Sequence, residues 1–160
     1  MSRLGRAPSV AELAAETRIG RQTIYRWWPS KAALMLDAFV RMDDAAMPAT
    51  DALGLDGFVR SELTAAARPE RREVLRSVVA EALVDESAMD TLRAFTAARR
   101  HALRERLVRE AGGRLVSTQR LDLLVDQVFG VLWYRVLFGH GALDNATARG
   151  LVDDVRRRLA

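Results

Sequence analysis

The chain has 160 residues, 49% of them hydrophobic and 29% charged, a balance that allows one compact domain, or a small domain joined to a larger one, and excludes two large domains and pervasive disorder. It has no cysteine and only two histidines, which excludes a disulfide framework, thiolate metal sites and an all-histidine metal centre while leaving a carboxylate-only site open. Neither a long uncharged apolar run nor a signal-like start is present, so the expected location is the cytoplasm. Charge is distributed unevenly. Arg3, Arg6, Arg18, Arg21, Arg26 and Lys31 stand against Glu12 and Glu16, so residues 1–31 carry the whole formal net charge of +4 and the rest sums to zero. Such a pattern is either a chance cluster or a polyanion-binding head on a neutral body.

Taken in chain order, the elements are helical, because apolar residues recur at i, i+3 and i+4 and no strand alternation is sustained. Ser9 followed by Glu12 forms a capping box. It opens a short helix that places Val10, Leu13 and Ala14 on one face and stops near Thr17–Arg18. A second segment, Gly20 to Trp28, ends at Pro29. Ser30 caps a third, from Lys31 to Met42, whose expected stripe is Leu34, Ala38, Met35 and Met42. Residues 43–57, rich in Asp, Ala, Gly and Pro, read as a connector. Five body helices follow, at about 58–67, 69–85, 87–111, 117–138 and 144–159. Pro69, Gly112-Gly113 and Gly139-His140-Gly141 supply the breaks, and Ser87 and Asp144 the expected caps.

Two short helices joined by a tight turn, inside the basic part of the chain, make a helix-turn-helix. Its second helix must present donors outward to the major groove and apolar groups inward. Ile24 and Trp28 can face Leu13 and Ala14, leaving Arg21, Gln22, Tyr25 and Arg26 toward DNA. Arginine pairs with guanine and glutamine with adenine, while Thr23, Tyr25 and Trp27 offer phosphate or methyl contacts. Lys31 sits where its ammonium and a helix N-terminus can meet one phosphate.

The string SVAELAAETRIGRQTIYRWWPSKAAL, residues 9–34, resembles the DNA-binding head of TetR-family transcriptional regulators, and VFGVLWYRVLFGHGALD, residues 128–144, resembles the ligand-binding domain of one TetR subgroup. The resemblance implies an all-α protein with a head at 1–42 and a helical ligand-binding and dimerisation domain at 43–160. It implies double-stranded DNA, a second copy and a small-molecule effector as partners, with no cofactor and no membrane. Thr23, Tyr25, Trp27 and Lys31 would contact the DNA backbone, Arg21, Gln22 and Arg26 would lie nearer the bases, and Trp28 would take the core aromatic position. Three departures stand out. Family members begin with a further helix packed across the next two, whereas MSRLGRAP alone precedes Ser9 here. Either the true start lies upstream, the favoured reading, or the body or a partner covers the gap, or DNA binding is weak. Arg18 replaces the turn glycine and Gly20 the usual hydroxyl cap.

In the body, residues 117–138 carry an apolar band from Leu121 to Leu137 that is too wide for one core face. By the resemblance, one side faces the subunit's own cavity and the other a mate, together with Leu151, Val152, Val155 and Leu159; the alternative is monomer core throughout. Met89, Leu92, Phe95, Phe129 and Trp133 are the candidate effector contacts. The arginines are expected mostly on wet faces, except Arg135, which is expected to pair with Asp122 or Asp126 or to hold an anionic ligand. His101, His140 and the adjacent acid pairs Asp43-Asp44 and Asp85-Glu86 lack the convergence that acid–base chemistry needs, so no enzyme is expected. The expected function is a ligand-responsive regulator, most simply a repressor, released from palindromic operator DNA by a small molecule. The rival is a dimeric helical ligand-binding or interaction protein that has lost DNA binding.

Overall fold

The computed structural model describes residues 9–44 and 52–159. Among these residues there are eight helices and no strand: α1 (Val10–Thr17), α2 (Arg21–Trp27), α3 (Lys31–Asp44), α4 (Leu55–Ala67), α5 (Pro69–Ala82), α6 (Glu86–Glu110), α7 (Thr118–Phe138) and α8 (Asn145–Leu159). The breaks have local causes. Pro69 starts α5, Gly112 and Gly113 take positive φ after α6, and Gly139 ends α7 at φ 69°, where a side chain would be strained. Asp144 caps α8 as expected, the Thr147 N–H donating to its Oδ1 at 2.8 Å. The cap of α6 is Asp85 rather than Ser87. Its Oδ1 accepts from the Ala88 N–H at 2.7 Å, which places Ser87 inside the helix.

By packing, the chain falls into two units: residues 1–46 with 70–95, and residues 47–69 with 96–160. In the first, Ala32 and Leu36 of α3 bury against Val78 and Ala82 of α5 and Ala88 of α6, with Met35, Val74, Met89, Leu92 and Phe95 packed around them. Of the expected α3 stripe, Met35 packs on this core, but the stripe is centred on Ala32 and Leu36 rather than on Leu34 and Ala38. Leu34 is half-buried, Ala38 is exposed, and the Met42 side chain lies outside the described residues. In the second unit α4 packs on α7 and α8, around Leu63, Leu103, Leu107, Val125, Val136 and Val152, all about 1% exposed or less.

Two arginines depart from the expectation of wet faces. Arg71 and Arg106 are each only 3% exposed. Arg106 donates from Nε to the Leu53 carbonyl at 3.1 Å and from Nη1 to the Ala102 carbonyl at 2.7 Å, and its guanidinium lies 4.3 Å from the Phe58 ring centroid. Both carbonyls accept from the charged guanidinium and the ring lies against it, which fastens the approach to α4 onto α6. Arg156 of α8 completes this corner, pairing bidentately with Asp56 at 2.6 and 3.2 Å and with Glu110 at 2.6 Å. Hydrogen bonds to Glu110 and then Asp56 raise its pKa still further.

Candidate nucleic-acid interface

The capping box at the start of α1 is complete: the Glu12 N–H donates to Ser9 Oγ at 3.2 Å and the Ser9 N–H to Glu12 Oε2 at 2.6 Å. Val10 is buried and Ala14 half-buried; the Leu13 side chain lies outside the described residues. Arg18 ends α1 in the left-handed region at φ 56°, ψ 22°, the one non-glycine residue with positive φ among the described residues. The turn geometry glycine would favour is thus adopted by an arginine, at a cost of about 1 kcal/mol. Gly20 then caps α2 without a side-chain bond, its carbonyl accepting from the Thr23 and Ile24 N–H groups at 2.9 and 3.2 Å.

α2 buries one residue, Ile24, at 6% exposure. Arg21, Gln22, Thr23, Tyr25, Arg26 and Trp27 are all exposed, Trp27 by 69%. The guanidinium of Arg26 lies 5.8 Å from the Trp27 ring centroid. Neither Arg21 nor Arg26 has an ion-pair partner among the described residues. Trp28 is half-buried, and its indole N–H donates to Asp37 Oδ2 at 3.1 Å, tying the end of α2 to α3. Ser30 caps α3, accepting from the Ala33 N–H at 3.1 Å. Lys31 follows at once, and its Nζ lies 3.8 Å from Glu81 Oε2 of α5. Nothing in the sequence pointed to that partner, fifty positions downstream.

The five candidate effector residues divide between the units. Met89, Leu92 and Phe95 pack, partly buried, on the core of the first unit, while Phe129 is buried and Trp133 half-buried in the second. None of the five lines the open cavity of about 190 Å³ between α4 and α8, whose walls are Asp56, Arg60, Asn145, Ala148, Arg149 and Val152. Arg135 makes neither expected ion pair. It donates to the Ala142 carbonyl and to Thr147 Oγ1, closing the loop before α8. Asp126 and Asp122 are taken instead by Arg100 and Arg104 of α6. His101 is exposed beside Glu105, and His140 sits edge-on to Tyr134.

The outer face of α7 stays open. Leu123, Tyr134, Leu137 and Phe138 are exposed, and with Gln127, Gly130 and Val131 they form one stripe at helical spacing. A Cβ at Gly130, or at Gly150 of α8, would meet nothing within 4 Å. At the polar edge Gln127 donates to Asp154, which also pairs with Arg157 and Arg158. The hydrogen bond from Gln127 is the main cause of a lowered Asp154 pKa. No described helix is long and apolar enough to cross a membrane.

Residues 54–155 match the family model described as "Tetracyclin repressor-like, C-terminal domain". The chain is 30% identical over 151 residues to the uncharacterized HTH-type transcriptional regulator Rv1556 of Mycobacterium tuberculosis, covering 92% of this chain and 75% of that protein. It is 25% identical over 153 residues to the uncharacterized HTH-type transcriptional regulator YdeS of Bacillus subtilis, covering 91% and 76%. A capped helix, a left-handed turn and a second helix with one buried residue, followed by a family-matched helical body, leave one assignment: the chain belongs to the TetR family of transcriptional regulators.

Proposed function

We propose that the protein is a ligand-responsive repressor that binds palindromic operator DNA as a homodimer in the cytoplasm and has no enzymatic activity. Residues 1–42 are the DNA-binding head and residues 43–160 the effector-binding and dimerisation domain. The observation that carries the reading is the distribution on α2, where a single buried Ile24 is surrounded by exposed Arg21, Gln22, Thr23, Tyr25, Arg26 and Trp27. Arg21, Gln22 and Arg26 read base edges, while Thr23, Tyr25, Trp27 and Lys31 hold phosphates. The exposed stripe on α7 supports pairing with a second copy, which sets the two heads on successive major grooves.

Met89, Leu92, Phe95, Phe129 and Trp133 are the proposed effector contacts. Effector binding favours a conformation in which α3 carries the heads to a spacing that no longer fits the operator. The test is fluorescence anisotropy on duplex DNA from immediately upstream of the protein's own gene, against a scrambled duplex, over a salt series. Sequence-dependent binding that weakens with salt and is lost in Tyr25→Ala and Lys31→Ala supports the reading. Equal, weak binding to both duplexes favours a helical ligand-binding protein without a DNA function.

A further inference from the structure

We propose that Glu81 positions Lys31 and competes with DNA phosphate for its ammonium, so that α5 controls one of the head's phosphate contacts. The inference rests on the DNA-binding reading above. Lys31 is the chain's sole lysine and opens α3 directly after the buried cap Ser30. Of the charged residues proposed to face DNA, Arg21 and Arg26 have no carboxylate partner among the described residues, whereas Lys31 faces Glu81 at 3.8 Å. Both side chains of the pair are about three-quarters covered, at 27% and 26% exposure.

The pairing is imposed by the packing beneath it. Ala32, next to Lys31, and Ala82, next to Glu81, lie in the same buried cluster with Leu36, Val78 and Ala88. The apolar core fixes the register of α3 on α5, and the charges meet at its rim as a result. A pair this long, at the rim of the core and still about a quarter exposed, is weak, which suits a competitor: it yields to phosphate, but the carboxylate left behind repels the incoming anion. Neutralising Glu81 removes both costs. A displacement of α5 along α3 would change the grip on Lys31 without touching α2.

The experiment measures anisotropy of the full chain on the upstream duplex and the scrambled duplex, for wild type, Glu81→Gln, Glu81→Ala, Lys31→Gln, Lys31→Gln/Glu81→Gln and Glu73→Gln. Glu73 is an exposed carboxylate of α5 and controls for net charge. The expected result is binding about two- to fivefold tighter for Glu81→Gln and Glu81→Ala, an effect of ion-pair size, with Glu73→Gln close to wild type. Lys31→Gln binds more weakly and lowers the salt slope by about 1, and in that background the Glu81 substitution gives no gain. Structural damage lowers affinity, so a gain separates competition from a merely structural role. Affinity equal to or below wild type in both Glu81 variants, a gain matched by Glu73→Gln, or a gain that persists without Lys31 overturns the inference while leaving the DNA-binding reading intact. Failure of the wild type to bind either duplex overturns the DNA-binding reading, and this inference with it.

Discussion

Replacing Gly130 by alanine separates the stability of the single chain from its pairing with a second copy, because the two respond with opposite sign. Gly130 lies in the middle of α7, where glycine costs about 1 kcal/mol relative to alanine. Within the chain the added methyl meets nothing within 4 Å, so Gly130→Ala stabilises the isolated subunit by about that amount. The open space is bordered on the same face by Leu123, Tyr134 and Phe138 at 62%, 57% and 70% exposure. If a second α7 crosses there, as the dimer proposal requires, the methyl is forced into a close helix approach. Overpacking costs about 1–3 kcal/mol per site, and two-fold symmetry applies it twice. The dimer dissociation constant should therefore rise by at least about tenfold. Sedimentation equilibrium over a concentration series reads the association, and circular-dichroism melting at the lowest concentration reads the subunit, since dimerisation itself raises the melting point. A variant that melts higher yet dimerises within about twofold of wild type, or a wild type that stays monomeric throughout, would refute the assignment of this face to the subunit interface.

The turn before α2 gives a second sign test. Arg18→Gly relieves a left-handed residue and should stabilise the head by up to about 1 kcal/mol, whereas Ala15→Gly, at an exposed position within α1, should destabilise it by about the same amount; equal signs in urea titrations would contradict the turn argument. At Asp144 the Thr147 backbone hydrogen bond lowers the carboxyl pKa below its ordinary value, so the cap's contribution is fully present above about pH 4 and is lost as the pH falls through the lowered value. Asp144→Asn should keep a neutral cap while flattening that acid-range dependence, and acid melting curves of the two proteins that superimpose would count against it. Arg135→Met should lower the melting temperature, because the Ala142 carbonyl and the Thr147 hydroxyl lose their shared guanidinium; an unchanged melting point would show that the loop closes without it.

What the sequence made legible was local. Ser9 and Glu12 are three residues apart and satisfy each other's backbone partners, so the start of α1 needs no tertiary information. Pro69, Gly112, Gly113 and Gly139 act through their own backbone geometry, and the body helices follow from them. Arg18 was legible by another route: the family resemblance marks its position as a turn glycine, and the arginine there takes φ 56°.

What stayed illegible was decided between distant segments. Leu34 with Ala38 and Ala32 with Leu36 are both i, i+4 pairs, so periodicity established that α3 is amphipathic but left its phase to be set by Val78, Ala82 and Ala88. Ser87 and Asp85 are both good caps, and the choice falls to Asp85 as α6 begins early enough to bury Ala88. Arg135, the arginine within the most apolar segment, was expected to reach Asp122 or Asp126 across the bundle, yet α6 supplies Arg100 and Arg104 to those acids. Lys31 belongs to this second class. Its place at the head of α3 was readable and its partner was not, since Glu81 reaches it only through the packing of α5 on α3. On the proposed DNA-binding reading, a phosphate contact inferred from local sequence alone therefore omits the carboxylate that phosphate would have to displace, and the net contribution of Lys31 to DNA affinity would be the difference between the two.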